Sequence, residues 1–389
     1  MMSQAIPFKV QTLIDRGVEI PNPQSIFIGD EIDPDRISGA GVTIHTGSKI
    51  YGRDTLILRG TTIGSEGPVT VENCQLGPQV KLKSGYFKNS VLLKEASMGS
   101  GAHVRDGTIL EEQASGAHTV GLKQTILFPF VTLGSLINFC DCCMAGGTSR
   151  QDHSEVGSSF IHFNYTPNQD KATPSLLGDV PRGVMLNQRP IFLGGQGGLV
   201  GPCRLTFGTV TAAGTIYRKD ELRPNRLLLE RGGRGGSVPY KPGGYQQSKR
   251  IISNNIIYIA NLMALRQWYR NIRALFISDD FPDALLEGLK KNIDLAIGER
   301  VKRLENYFGK LPDNDLAGRW NDVQDDLNTR LAFDGEQSRK DAFLYIISTK
   351  IDQYGCDYIT VIKSLKQDEA EAGTIWLQGI VDKVTALWR

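Results

Sequence analysis

The chain has 389 residues, 40% of them hydrophobic, and 44 basic against 42 acidic side chains leave a formal charge of +2. That length supports two or three cores, and the balanced charge argues against nucleic acid as a partner. No stretch approaches the ~20 apolar residues of a membrane span, the start MMSQAIPFKVQTLIDRG has no apolar region behind a basic one, and six cysteines are too few for a disulfide scaffold. A cytoplasmic chain with reduced thiols and no membrane partner is expected.

After an N-terminal extension, residues 1–25, a hydrophobic residue recurs every six positions, a period that suits neither a helix nor a flat sheet. Ile26, Ile32, Ile44, Ile50 and Leu56 share one register, with Ser38 at the missing step. The count restarts at Ile63 and Val69, at Leu76 and Leu82, and at Leu92, Met98, Val104 and Leu110. Four positions after such aliphatics come Val42, Ser48, Val80, Ala102, Thr108 and Ala114, where an inward corner excludes bulk. Three hexapeptides make one triangular coil of short parallel strands, and stacked coils bury the aliphatic column between them. The pattern predicts a parallel β-helix over residues 26–224. Gly146-Gly147, Gly194-Gly195 and Gly197-Gly198 mark excursions from it.

A Gly, Pro and Arg stretch, ERGGRGGSVPYKPGGY, fills the linker or arm at residues 225–247. From 248 to 389 the period becomes helical. Ile259, Leu262, Met263, Ile272, Leu275 and Phe276 give one apolar face, and Leu286, Leu289, Ile293, Ile297, Leu304 and Phe308 give a second. Further helices are predicted near 315–331, 337–365 and 368–388, with breaks at 309–313 and at Gly335. Trp268, Trp320, Trp376 and Trp388 are expected to pack within this all-α domain.

The most specific pattern lies between His162 and Asp220. Asn164, Tyr165, Lys171, Thr173, Gly178, Asp179, Gly194, Val200, Pro202, Ala212, Ala213, Gly214, Thr215, Lys219 and Asp220 follow one another in FNYTPNQDKATPSLLGD and VGPCRLTFGTVTAAGTIYRKD. This order resembles the hexapeptide-repeat acyltransferases, in particular the acetyltransferase half of the bifunctional bacterial enzyme that makes UDP-N-acetylglucosamine. The resemblance implies a left-handed coil and a homotrimer with sites between neighbours. It also implies acetyl-CoA as co-substrate and a phosphorylated amino sugar or nucleotide sugar as acceptor. Arg105, Asn138, Asn164, Tyr165 and Lys171 would hold that acceptor, and Gly195, Ala213 and Gly214 would line the coenzyme groove. A lysine suits phosphate as a point charge, and small residues let a pantetheine arm approach the backbone. The nucleotidyltransferase half needs an N-terminal Gly-x-Gly-Thr-x-Met loop, and only about 25 residues precede the first coil.

The catalytic base departs from that pattern. Gly116-Ala117-His118 resembles a family Gly-Ala-His, but in the following coil, Leu133-Gly134-Ser135-Leu136-Ile137-Asn138-Phe139, the strict count falls on Phe139. Neither a phenyl ring nor an amide takes a proton from an attacking amine, whereas a neutral imidazole does. His153 or His162 would then be the substitute base. The alternative is a noncatalytic sugar-nucleotide-binding or scaffold protein. Cys140, Cys142 and Cys143 with Asp152 and His153 also read as corner fillers, since adjacent thiolates face one ion poorly, and no metal is expected.

Overall fold

The computed structural model describes residues 6–166, 170–229, 247–311 and 319–388. Its N-terminal region is a parallel β-solenoid of about 11 turns, built from two ten-stranded sheets and one of eight strands. We call these face A, running from Thr43–Ile44 to Leu227–Leu228, face B, from Phe27–Ile28 to Ile216–Tyr217, and face C, from Leu56–Ile57 to Arg204–Leu205. Each short strand bonds to the coils before and after it. Leu56 N donates to Cys74 O at 2.9 Å, and Leu93 N to Leu110 O at 2.8 Å. The edges turn through left-handed residues, as at Gly60, Gln79, Glu95 and Gln113, with φ of 71°, 58°, 61° and 60° on the C–A edge.

The predicted column is the interior of the prism. Ile44, Ile63, Leu82 and Met98 line up inside face A; Ile50, Val71, Phe87, Val104 and Leu122 inside face B; Leu76, Leu92 and Leu110 inside face C, and all are buried. The register differs from the expected one at several steps. On face B, Ile28, not Ile26, pairs with Ile50, and Val71, not Val69, continues the column to Phe87. Two more lie on face C. Ile37, not Ser38, pairs with Ile57, and Ile57, not Leu56, continues to Leu76. The cause of these two is that face C is buried on both sides, so an outward aliphatic there looks like an inward one in sequence. Helix α1 (Phe8–Asp15) adds buried Val10 and Leu13 beside the first strand.

A one-turn helix, α2 (Val180–Gly183), sits in the last long excursion. The C-terminal region comprises α3 (Ser248–Gln267), α4 (Asp283–Phe308), α5 (Trp320–Leu331), α6 (Gln337–Tyr354), α7 (Tyr358–Lys363) and α8 (Gln367–Thr385). Helix α3 is packed between α4 and α8, and α3 and α4 lie on face C. The predicted helix over 337–365 is two, because Gly355 at φ 80° ends the first. Trp268 and Trp376 are fully buried, while Trp320 and Trp388 pack on Phe308. The last solenoid strand, Leu227–Leu228, extends into the stretch expected as linker, and the Gly, Pro and Arg run at 230–246 lies outside the described residues.

The seam explains why face C carries apolar residues outward as well as inward. Val91, Ile109, Ile126, Cys143 and Leu176 point away from the prism and are buried all the same. Polar ties cross it. Tyr269 donates to Glu111 Oε1 at 2.6 Å, and Arg273, stacked on the Tyr358 and Phe281 rings, pairs with Glu112. Burial, reinforced by the Glu112 charge, pushes the Glu111 carboxyl up to about 7.

Candidate functional site

Most of the predicted acceptor residues come together where face B meets face C. Leu122 pairs with Phe139 and Val104 with Leu122, so Arg105, Lys123 and Cys140 occupy successive rungs on the outside of face B, about 4.8 Å apart. Lys171 comes to the same place from the excursion between Phe163 and Ser175. All three cations pull down the half-buried Cys140 thiol, which burial, and then the Asp141 charge, push above its ordinary range. Asn138 is exposed two residues before Cys140. On its side of the face Gly121, with no side chain, leaves a notch between exposed His103 and Asn138. Lys123 and His103 were not singled out by sequence reasoning. The signal for Lys123 was its place one coil after Arg105, legible only once coil length is known.

Asp141 turns the B–C edge with φ 62° and is the hinge between this cluster and the helices. Its Oδ2 accepts from Asn164 Nδ2 at 3.3 Å, and its Oδ1 pairs at 2.8 Å with Arg300 of α4, both charged side chains being under 10% exposed. Thr173 Oγ1 donates to Asn164 O at 3.2 Å, closing the base of the loop. Tyr165 is 67% exposed, and the loop includes residues 167–169, which are outside the described set. A groove of about 660 Å³ runs beside the cluster between α4 and the edge, lined by Asp106, Gln124, Lys291 and Lys302 among others.

The two candidate bases are not in this cluster. His162 is an interior residue of face B, stacked between Phe139 and Leu199, and its Nε2 lies 2.8 Å from Ser175 Oγ. Burial drives its imidazole down to about 4, so the ring is neutral at pH 7. Phe139 is fully buried in the same column, which explains the sequence count: the strict repeat position points into the prism, where no substrate reaches. His153 is half-buried in the excursion on the C–A edge, bridged through Gly147, with the helices on face C between it and the cluster. Cys142 and Cys143 point to opposite sides of their strand, and among the described residues no group of three His, Cys, Asp or Glu side chains is placed to hold a metal ion.

The proposed coenzyme residues lie on the A–B edge. Gly116, Leu133, Val156, Leu193 and Thr211 pair in series, so His118, Ser135, Ser158, Gly195 and Ala213 form the next column out. Coils approach so closely here that a Cβ on Gly194 would lie 2.4 Å from Ala213 N, and one on Gly157 2.4 Å from Gly195 N. A Cβ on Gly214, at φ 72°, would meet nothing within 4 Å, so the end of the column is open. Within that column Ser135 Oγ is 2.8 Å from His118 Nδ1.

No protein-family model matches the chain. Among curated proteins it is similar to the Bifunctional protein GlmU of Thermotoga petrophila, 26% identical over 216 residues, which is 54% of this chain and 42% of the relative. The Fervidobacterium nodosum protein of that name is 26% identical over 231 residues, 56% of this chain and 42% of its own. The one from Nitratidesulfovibrio vulgaris is 26% identical over 236 residues, 59% and 45%. The chain spans less than half the length of these relatives. The homologues cover about half of this chain and agree with the resemblance carried by the repeats, including the left-handed sense of the coil. Among the described residues no helix is long and apolar enough to cross a membrane.

Proposed function

We propose that the solenoid is an acetyltransferase of the amino-sugar type, holding a phosphorylated amino sugar or nucleotide sugar on the B–C side of face B and acetyl-CoA along the A–B edge. The observation that carries this reading is the convergence of Arg105, Lys123 and Lys171 around Cys140, with Asn138 beside them and Asn164 held by Asp141. The nearby Asp141 carboxylate is paired with Arg300, and among the described residues none of the three cations is in a salt bridge, which fits a phosphate, Arg by its fork and Lys as a point charge. Asn138 and His103 above the Gly121 notch offer polar groups to sugar hydroxyls. The narrow A–B edge, with Gly195, Ala213 and Gly214, offers backbone donors and acceptors to a pantetheine arm.

Covering of face C by the helices limits assembly. A three-fold arrangement of prisms has faces A and B to use, and a base from His153 reaches the cluster only from a neighbouring copy. The second reading, a sugar-nucleotide binder without chemistry, is favoured by the interior position of His162 and Phe139. Calorimetric titration of the purified chain with glucosamine 1-phosphate, UDP-N-acetylglucosamine and acetyl-CoA, alongside an acetyl-transfer assay and light scattering, separates the two. Acetyl transfer by a trimer supports the enzyme; tight sugar-nucleotide binding with no transfer supports the binder. Each of Arg105→Ala, Lys123→Ala and Lys171→Ala is expected to weaken phosphate-ligand binding about tenfold or more, the worth of one charged hydrogen bond.

A further inference from the structure

The A–B edge holds a solvent-accessible side-chain pair suited to moving a proton, Ser135 and His118. We propose that Ser135 and His118 together accept the proton in acyl transfer, Ser135 touching the attacking amine and His118 acting through it as a positioning base. The proposal rests on the acyl-transfer reading.

Four observations carry it. Ser135 Oγ and His118 Nδ1 are 2.8 Å apart across neighbouring coils, 17 residues from each other in sequence. Both are accessible on the corner, unlike His162, which is sealed in the core. Their column continues through Ser158 and Gly195 to Ala213. From His118 that is four rungs, about 19 Å at the usual strand spacing, which matches an extended pantetheine arm with its thioester at the His118 end. The chain then passes from Ser135 onto face B, where Asn138 stands exposed at the acceptor notch. Donor and acceptor tracks therefore meet at Ser135.

In the Nε2–H tautomer, His118 Nδ1 accepts the Ser135 hydroxyl proton. As the amine nitrogen bonds to the thioester carbonyl carbon, its proton passes to Ser135 Oγ while the serine proton moves to His118. When the carbon–sulfur bond breaks, coenzyme A leaves as the thiolate and takes the proton back from the imidazolium. The products are the amide and the free thiol, with serine and histidine restored.

The test uses the full chain with acetyl-CoA and glucosamine 1-phosphate or UDP-glucosamine. His118→Ala and Ser135→Ala are each expected to lower kcat by about 10²–10⁴-fold while the Kd of either ligand changes far less than kcat, and Ser135→Thr, which keeps a hydroxyl, is expected to retain transfer. The pH–rate profile of His118→Ala should lose the limb that an imidazole imposes, a change that a structural role would not produce. Wild-type transfer that survives both alanine variants overturns the pair and leaves the acyl-transfer reading standing. Loss of transfer in His103→Ala but not in His118→Ala overturns it in favour of a base on face B. A wild-type chain that binds neither ligand sinks the acyl-transfer reading, and the pair with it.

Discussion

Faces B and C are written in the same six-residue repeat, with the same aliphatic column behind them, yet they do opposite things. On face C the outward positions are Val91, Ile109, Ile126, Cys143 and Leu176, and the helices bury them. On face B the outward positions include His103, Arg105, Lys123 and Asn138, left open to solvent or half so. A β-helix strand offers one inward and one outward side chain in alternation. The inward one fixes the coil, and the outward one decides whether that face becomes a second core or a binding surface. The Arg300–Asp141–Asn164 chain is where the two uses touch, since it fastens the covered face to the loop that serves the open one.

The comparison is broken most directly at that tie. Arg300→Leu leaves the Asp141 carboxylate buried and unpaired, with an expected loss of about 3–5 kcal/mol in chemical denaturation. Adding Asp141→Asn should recover much of it. Recovery without restored ligand binding would show that the tie also orders the Asn164 loop. Within the column, Leu110→Ala removes a fully buried side chain and should cost about 2–5 kcal/mol. A cost near zero at Leu110 would contradict the packing of face C.

Acid and base limbs provide a third test, because buried His162 on face B and buried Glu111 on face C are shifted in opposite senses. His162 has a folded value of about 4 against an ordinary 6.5. Between those values the unfolded chain binds more protons, so its stabilising contribution is present above 6.5 and is lost as pH falls towards 4. The full shift is worth about 3 kcal/mol. Glu111 is raised from 4.5 to about 7, so the folded chain holds the extra proton and stability falls as pH rises through that window. The two effects oppose each other between pH 4.5 and 6.5. Unfolding free energy of the wild type should be nearly flat there, whereas Glu111→Gln should expose a rise with pH. A flat profile in Glu111→Gln would mean that His162 is not sealed in the column.

The smallest stability effect is expected on the open face. Lys123→Ala should change unfolding by no more than about 0.5 kcal/mol, while weakening phosphate-ligand binding as described above. Phe139→His, which the sequence count alone would recommend as a way to install a base, should instead destabilise the prism. Its side chain is wholly interior, and the new imidazole would be buried beside His162.

Much was legible in the sequence. The six-residue period names a β-helix because one aliphatic per hexapeptide is what a three-sided coil must bury, and Ile50, Leu82, Val104 and Leu110 are where that argument places them. The change to helical spacing after residue 247 was equally plain, although Gly355 ended a helix that hydrophobic spacing would have continued. Arg105, Asn138 and Lys171 were named one by one as candidates. Their convergence was decided by register, because rungs stack residues a whole coil apart and excursions such as those after Met144 and Phe163 change the coil length. The same register put His162 inside the prism, set Ser135 against His118, and left Lys123 beside Arg105. The helices' choice of face C was tertiary too: only when coils are stacked do the outward Val91, Ile109 and Leu176 become one apolar surface large enough to bind α3 and α4. Spacing along a chain specifies which residues must be buried, while distances between coils, and the chemistry they permit, exist only once the coils are stacked.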